Sequence, residues 1–115
     1  MNKFIELLQE YLIKAIELTE TMIKSDYSDT DTIALMTQNR ERLMHIIDQI
    51  ASYIVWDEVS DEDKNHLNNQ INFIKKLDEE LLVNLQSYKQ EVQADIKKTF
   101  QSKESIKGYN LNDLK

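Results

Sequence analysis

Apolar residues recur along most of this chain at steps of three and four, the period of one face of an α-helix, and three long stretches carry the pattern. The first runs from about Asn2 to Ser25, with Phe4, Leu8, Tyr11, Ala15, Leu18 and Met22 as its row and Ile5, Leu7 and Leu12 widening it. The polar cluster Ser25 to Asp29 interrupts it, and Ser28 or Thr30 is placed to cap the next helix; Ser28 with Asp31 has the spacing of a capping box. The second stretch, Asp31 to Val55 or Trp56, has Met36, Leu43, Ile47, Ile50 and Ile54 as its row, with Ile46 and Ala51 at the margin. Arg40 stands where that row expects an apolar residue; a long stem lying along apolar surface with its guanidinium outward accommodates it.

The third stretch opens after Trp56 to Ser60. Trp56 is expected to cover a corner, and Ser60 with Asp63 suits a helix cap. Asp61, Glu62 and Asp63 place negative charge where the helix dipole favours it. The row Leu67, Ile71, Ile74, Leu77, Leu81, Leu85, Tyr88, Val92, Ile96 and Phe100 then advances 33 residues in nine steps, a mean of 3.67, close to a straight helix over residues 61 to 102.

At about 1.5 Å per residue the first two helices would be about 36 and 38 Å long and the third about 63 Å. Short links make neighbours antiparallel, so the expected fold is all-α: an antiparallel three-helix bundle with a long third helix, a single domain over residues 1–109 followed by a short flexible tail, 110–115. Two shorter helices cover only the first part of the third. The apolar row from Tyr88 to Phe100 needs another partner: either the helix bends back near Ser87 into a short fourth helix, or a second chain supplies the cover. Unburied apolar surface of that extent marks an interaction site. The tail beyond Gly108, with Leu111 and Leu114, either frays or folds over this row.

Composition narrows the function. The 115 residues include no Pro, no Cys and one Gly, so hairpin turns, phosphate-cradling glycine loops, disulfides and thiolate sites are excluded. With 14 Lys and Arg against 21 Asp and Glu, the net charge of −7 argues against nucleic-acid binding, while 41% apolar content suffices for a core. No apolar run is long enough to span a membrane, and the start of the chain lacks the pattern of a secretory signal, which makes the cytoplasm the expected compartment.

Little in the pattern suggests catalysis. Glu41 with His45 and Glu62 with His66 stand four apart, whereas a di-iron bundle needs Glu-x-x-His on two helices. Asp63 with His66 has the three-residue offset but no second copy, and Asp57 to Asp63 lacks the alternating oxygens and central Gly of a calcium loop. Carboxylate pairs such as Glu6 and Glu10 arise from abundance alone, and a small bundle offers no cleft to separate two acidities. The expectation is therefore no enzyme, no metal and no cofactor. A phosphocarrier using a histidine as phosphoryl acceptor is the enzyme-like alternative, and the acidic setting of His66 suits it poorly.

Three segments together carry a resemblance: Asn39-Arg40-Glu41-Arg42-Leu43-Met44-His45-Ile46-Ile47, then Ile74-Lys75-Lys76-Leu77-Asp78-Glu79-Glu80-Leu81-Leu82, then the closing Ser102 to Tyr109. Over residues 35–109 the chain resembles the small bacterial flagellar export chaperones, nearest to the FliT type and more distantly to the FlgN type. The resemblance implies a helical bundle that binds the helical C-terminal region of a filament-cap or hook-associated export substrate, keeps it soluble and passes it to the export apparatus. Carried onto this sequence, the partner-binding residues would be Leu85, Tyr88, Val92, Ile96, Lys97 and Phe100, with Tyr109 as cover or contact. The Asn-rich run Asn65, Asn68, Asn69 and Asn72 and the short tail depart from the family pattern; the tail puts an autoinhibitory fourth helix in doubt.

Binding is expected as helix-in-groove packing, with Ile96 and Phe100 as anchors and Lys97 and Lys98 as rim charges. Residues 89 to 107 hold five Lys against three acids, a net of +2, which favours an acidic or amphipathic partner at this end. A homodimeric helical scaffold or adaptor, in which the third helix pairs with its counterpart, is the competing architecture.

Overall fold

In a computed structural model the chain is described over residues 3–104, with the backbone alone described from 100 onward. It folds as three helices, α1 (Lys3–Ile23), α2 (Thr30–Ser52) and α3 (Asp61–Glu104), with a short 3₁₀ turn, Trp56–Glu58, before the last. No strand occurs among the described residues. The fold is the all-α three-helix bundle with a long third helix. The chain divides into two compact units between Leu82 and Val83, and α3 contributes to both. Helical hydrogen bonding in α3 passes Ser87 without interruption. The domain limit at 109, the 110–115 tail, Tyr109 and the Phe100 side chain lie outside the described residues.

Antiparallel packing of α1 and α2 follows from three contacts at successive heights. Phe4 stacks on Tyr53 with centroids 5.6 Å apart, Arg40 Nε donates to Thr19 Oγ1 at 3.0 Å, and Ser25 Oγ lies 4.0 Å from Met36 Sδ. As numbers rise along α1 they fall along α2. The two backbones approach closely, and fully buried Ala15 and Thr19 leave room for it.

The face α1 buries is Ile5, Leu8, Leu12, Ala15, Thr19 and Met22. It lies to one side of the expected row: Phe4 is 41% exposed, and Tyr11 and Leu18 are half-buried. On α2, Ile47 and Ile50 are buried as the row predicts. The α3 segment up to Leu82 contributes Leu67, Ile74, Leu77 and Leu81, while Ile71 is left exposed. Leu67 and Ile74 join Leu8, Leu12 and Ile47 in one apolar cluster. Fully burying a side chain of this size contributes about 1.5–3 kcal/mol, which makes this cluster the main source of stability.

Links are closed by local hydrogen bonds. The Ser25 hydroxyl donates to the Thr21 carbonyl (2.6 Å) and the Tyr27 hydroxyl to the Ile23 carbonyl (2.7 Å), satisfying acceptors at the end of α1. The cap of α2 is Asp29 rather than Ser28 or Thr30: its carboxylate accepts from the Thr32 backbone N–H at 3.2 Å and the Thr32 hydroxyl at 2.7 Å. Ser28 is already engaged, since its hydroxyl and N–H both donate to Asp26 Oδ1. Ser60 behaves as expected, its hydroxyl accepting from the Asp63 N–H at 3.1 Å. The corner before α3 is held by buried Ile54 and Val59, whereas Trp56, expected to cover it, is 40% exposed.

Candidate partner-binding surface

The surface singled out by the sequence lies on the second part of α3. Helical spacing brings Leu85, Val92 and Ile96 onto one face, with Tyr88 between the first two. Leu85, Tyr88 and Val92 are half-buried, and Ile96 is 49% exposed. No residue from 83 to 99 is buried. Lys97 is exposed beside the apolar face. The structure thus brings together Leu85, Tyr88, Val92, Ile96 and Lys97; Phe100 shares the helix, and Tyr109 is outside the described residues.

Arg40 forms the polar centre of the other unit. Its guanidinium turns inward rather than out to solvent: Nε donates to Thr19 Oγ1 of α1, and a terminal nitrogen pairs with the Asp78 carboxylate of α3. The Thr19 hydroxyl in turn donates to the Ala15 carbonyl at 2.7 Å. One side chain of α2 therefore ties all three helices. The reason it points inward is the fully buried Thr19 oxygen, which has a lone pair to offer and no water to meet it. This arrangement holds helices together and offers no reacting group.

His45 and His66 are both exposed. Glu62, Asp63 and His66 line an open depression with Asn65 and Asn69 on a single stretch of α3, and no other helix contributes to it. Among the described residues no group of three or more His, Cys, Asp or Glu could hold a metal ion. The hydrogen bonds from the Ser28 hydroxyl and then the Ser28 N–H hold the Asp26 carboxyl below its ordinary value. It is an exposed loop residue and acts locally. No helix among the described residues is long and apolar enough to cross a membrane.

A second apolar surface was not visible in the sequence. Met44 and Ile47 of α2 face Ile71 and Ile74 of α3 across an open groove of about 310 Å³ floored by Leu12. Asp48 stands on the α2 wall, and Lys75 and Asp78 on the α3 wall. Ile71 belongs to the apolar row like its neighbours, and its exposure beside the groove is set by the packing of the helices.

Compared with known proteins, the chain matches no family model, no curated protein and no solved structure.

Proposed function

We propose that the protein is a cytoplasmic export chaperone of the flagellar type that captures a helical segment of its client on the α3 face Leu85, Tyr88, Val92 and Ile96. The observation that supports this most is the run of seventeen residues, 83 to 99, that repeats the apolar spacing of the earlier part of α3 and buries none of it. A helix with an apolar face of its own completes such a surface by laying i, i+3 and i+4 anchors along it. The resemblance to the FliT type supplies the client class, the helical C-terminal region of a filament-cap or hook-associated protein. Lys97 would act from the rim on the rate of encounter more than on residence.

Calorimetric titration of the full chain with recombinant C-terminal segments of those proteins tests the reading. Saturable binding is expected, weakened at least tenfold by Ile96→Ala with Phe100→Ala, a loss of about 1.4 kcal/mol or more. Thermal unfolding of the double variant should match that of the parent. Absence of binding by every such segment, or binding indifferent to both substitutions, overturns it.

A further inference from the structure

The three helices of the first unit are not held alike. α1 and α2 run backbone against backbone, whereas α3 does not run that near to either. Side chains of α1 meet α2 and its end at three heights, through Phe4 and Tyr53, Thr19 and Arg40, and Ser25 and Met36. Over residues 61–82, by contrast, Asp78 is the one side chain among the described residues that bonds to another helix, and its partner is Arg40. We propose that the 61–82 segment of α3 is a lid on the α1–α2 pair: it lifts as one piece while α1 and α2 stay together, and the Arg40–Asp78 pair is its latch. The inference concerns the first unit by itself and does not require client capture.

This latch opens without stranding a charge. The bond from Arg40 Nε to Thr19 lies within the α1–α2 pair and survives the separation. Asp78, 42% exposed while paired, passes to water, and so does the guanidinium nitrogen it leaves. Charges that reach solvent lose little when parted, unlike a buried pair. Gln70 favours the open form: its Oε1 is buried in the closed bundle without a donor, and water satisfies it once α3 lifts.

Apolar packing sets how the lid moves. Leu67, Ile74, Leu77 and Leu81 recur along one face of the segment and are its buried side chains. They lose their cover together, so the segment leaves as a unit rather than residue by residue. Val59 is buried in the same cluster as α1 and α2 and keeps the connection seated, which puts the pivot at Ser60. On the α2 side the separation starts from an existing gap, the groove between Met44 and Ile71, where Ile71 is already exposed.

Native-state amide exchange of the full chain, read residue by residue by NMR, tests the proposal. Amides of Leu67, Ile74, Leu77 and Leu81 should share one opening and be protected about tenfold less, or lower still, than those of Leu8, Leu12 and Ile47. Asp78→Asn should speed exchange of the α3 set about threefold and leave the α1 and α2 set within about twofold of the parent. The chain has no Cys, so Met44→Cys with Ile71→Cys can be joined across the groove by a short bismaleimide. Joining should slow the α3 set about tenfold against the same variant left unjoined, a comparison that removes any effect of the substitutions on packing. Protection in α3 equal to or above that in α1 and α2 overturns the proposal. An α3 set indifferent to both Asp78→Asn and the bridge also overturns it. No client enters the experiment, so its failure and that of the client titration are independent.

Discussion

Two parts of one helix carry the same apolar spacing and meet different fates. Between Asp61 and Leu82, α3 buries Leu67, Ile74, Leu77 and Leu81 to 8% exposure or less; between Val83 and Thr99 it buries nothing. Neither part is richer in helix-breaking residues, since the chain has no Pro and its one Gly is Gly108. The difference lies in the company each part keeps. Residues up to 82 share their unit with α1 and α2, whose Leu8, Leu12 and Ile47 join the same cluster. A periodic row thus specifies that a helix has an apolar face, while burial depends on what lies against it.

The largest effect separates the two parts directly. Leu67→Ala should lower the stability measured by urea unfolding by about 2–5 kcal/mol, the cost of a cavity in a packed cluster. Ile96→Ala should change it by no more than about 0.5 kcal/mol, as for a surface position. Equal losses would mean that both parts are packed alike in solution and would erase the distinction.

A smaller effect sharpens the account of what fastens the first part. Arg40→Met should cost about 1–2 kcal/mol, because the Thr19 hydroxyl still donates to the Ala15 carbonyl and Asp78 retains access to water. Asp78→Asn in the same background should add little, and the coupling between the two positions in a double-mutant cycle should be about 1 kcal/mol. Additive losses would show that the pair does not help to hold α3.

The smallest effect lies at the link between α1 and α2. Asp26 has a folded pKa below its unfolded one, so its contribution to stability is complete above the ordinary carboxylate range and is lost as pH falls through the lowered value. Asp26→Asn should flatten that part of the pH profile in acid denaturation and leave the profile near neutrality unchanged. A variant with the parent's acid profile would remove Ser28 as the cause of the shift.

Much of the fold was legible in the residue pattern. The expected helices differ from α1, α2 and α3 by a few residues at their ends, and Ser60 was readable as a cap because a hydroxyl three residues before an acidic turn has one local use. Asp29 was harder to find, since three neighbouring side chains could cap α2 and the engagement of Ser28 by Asp26 decided among them. Arg40 and Thr19 were read separately, one as an interruption of its row and the other not at all. Two polar residues in the apolar rows of adjacent antiparallel helices, at matching heights, are a signal worth pairing. Of the surface at 85–96, Ile96 is exposed while Leu85, Tyr88 and Val92 are half-buried, and the α2–α3 groove depends on the rotation of two helices and leaves no mark in either row alone.

The methionine at the groove wall has a consequence for chemistry in air. Met22 is shielded at 3% exposure, but Met44 is half-buried and borders open space. Peroxide reaches a thioether in such a position before the shielded Met22, and the sulfoxide it forms is polar where the thioether was apolar. Ageing of the protein in an oxidising buffer would therefore spoil the slot between α2 and α3 while the packed interior stayed whole.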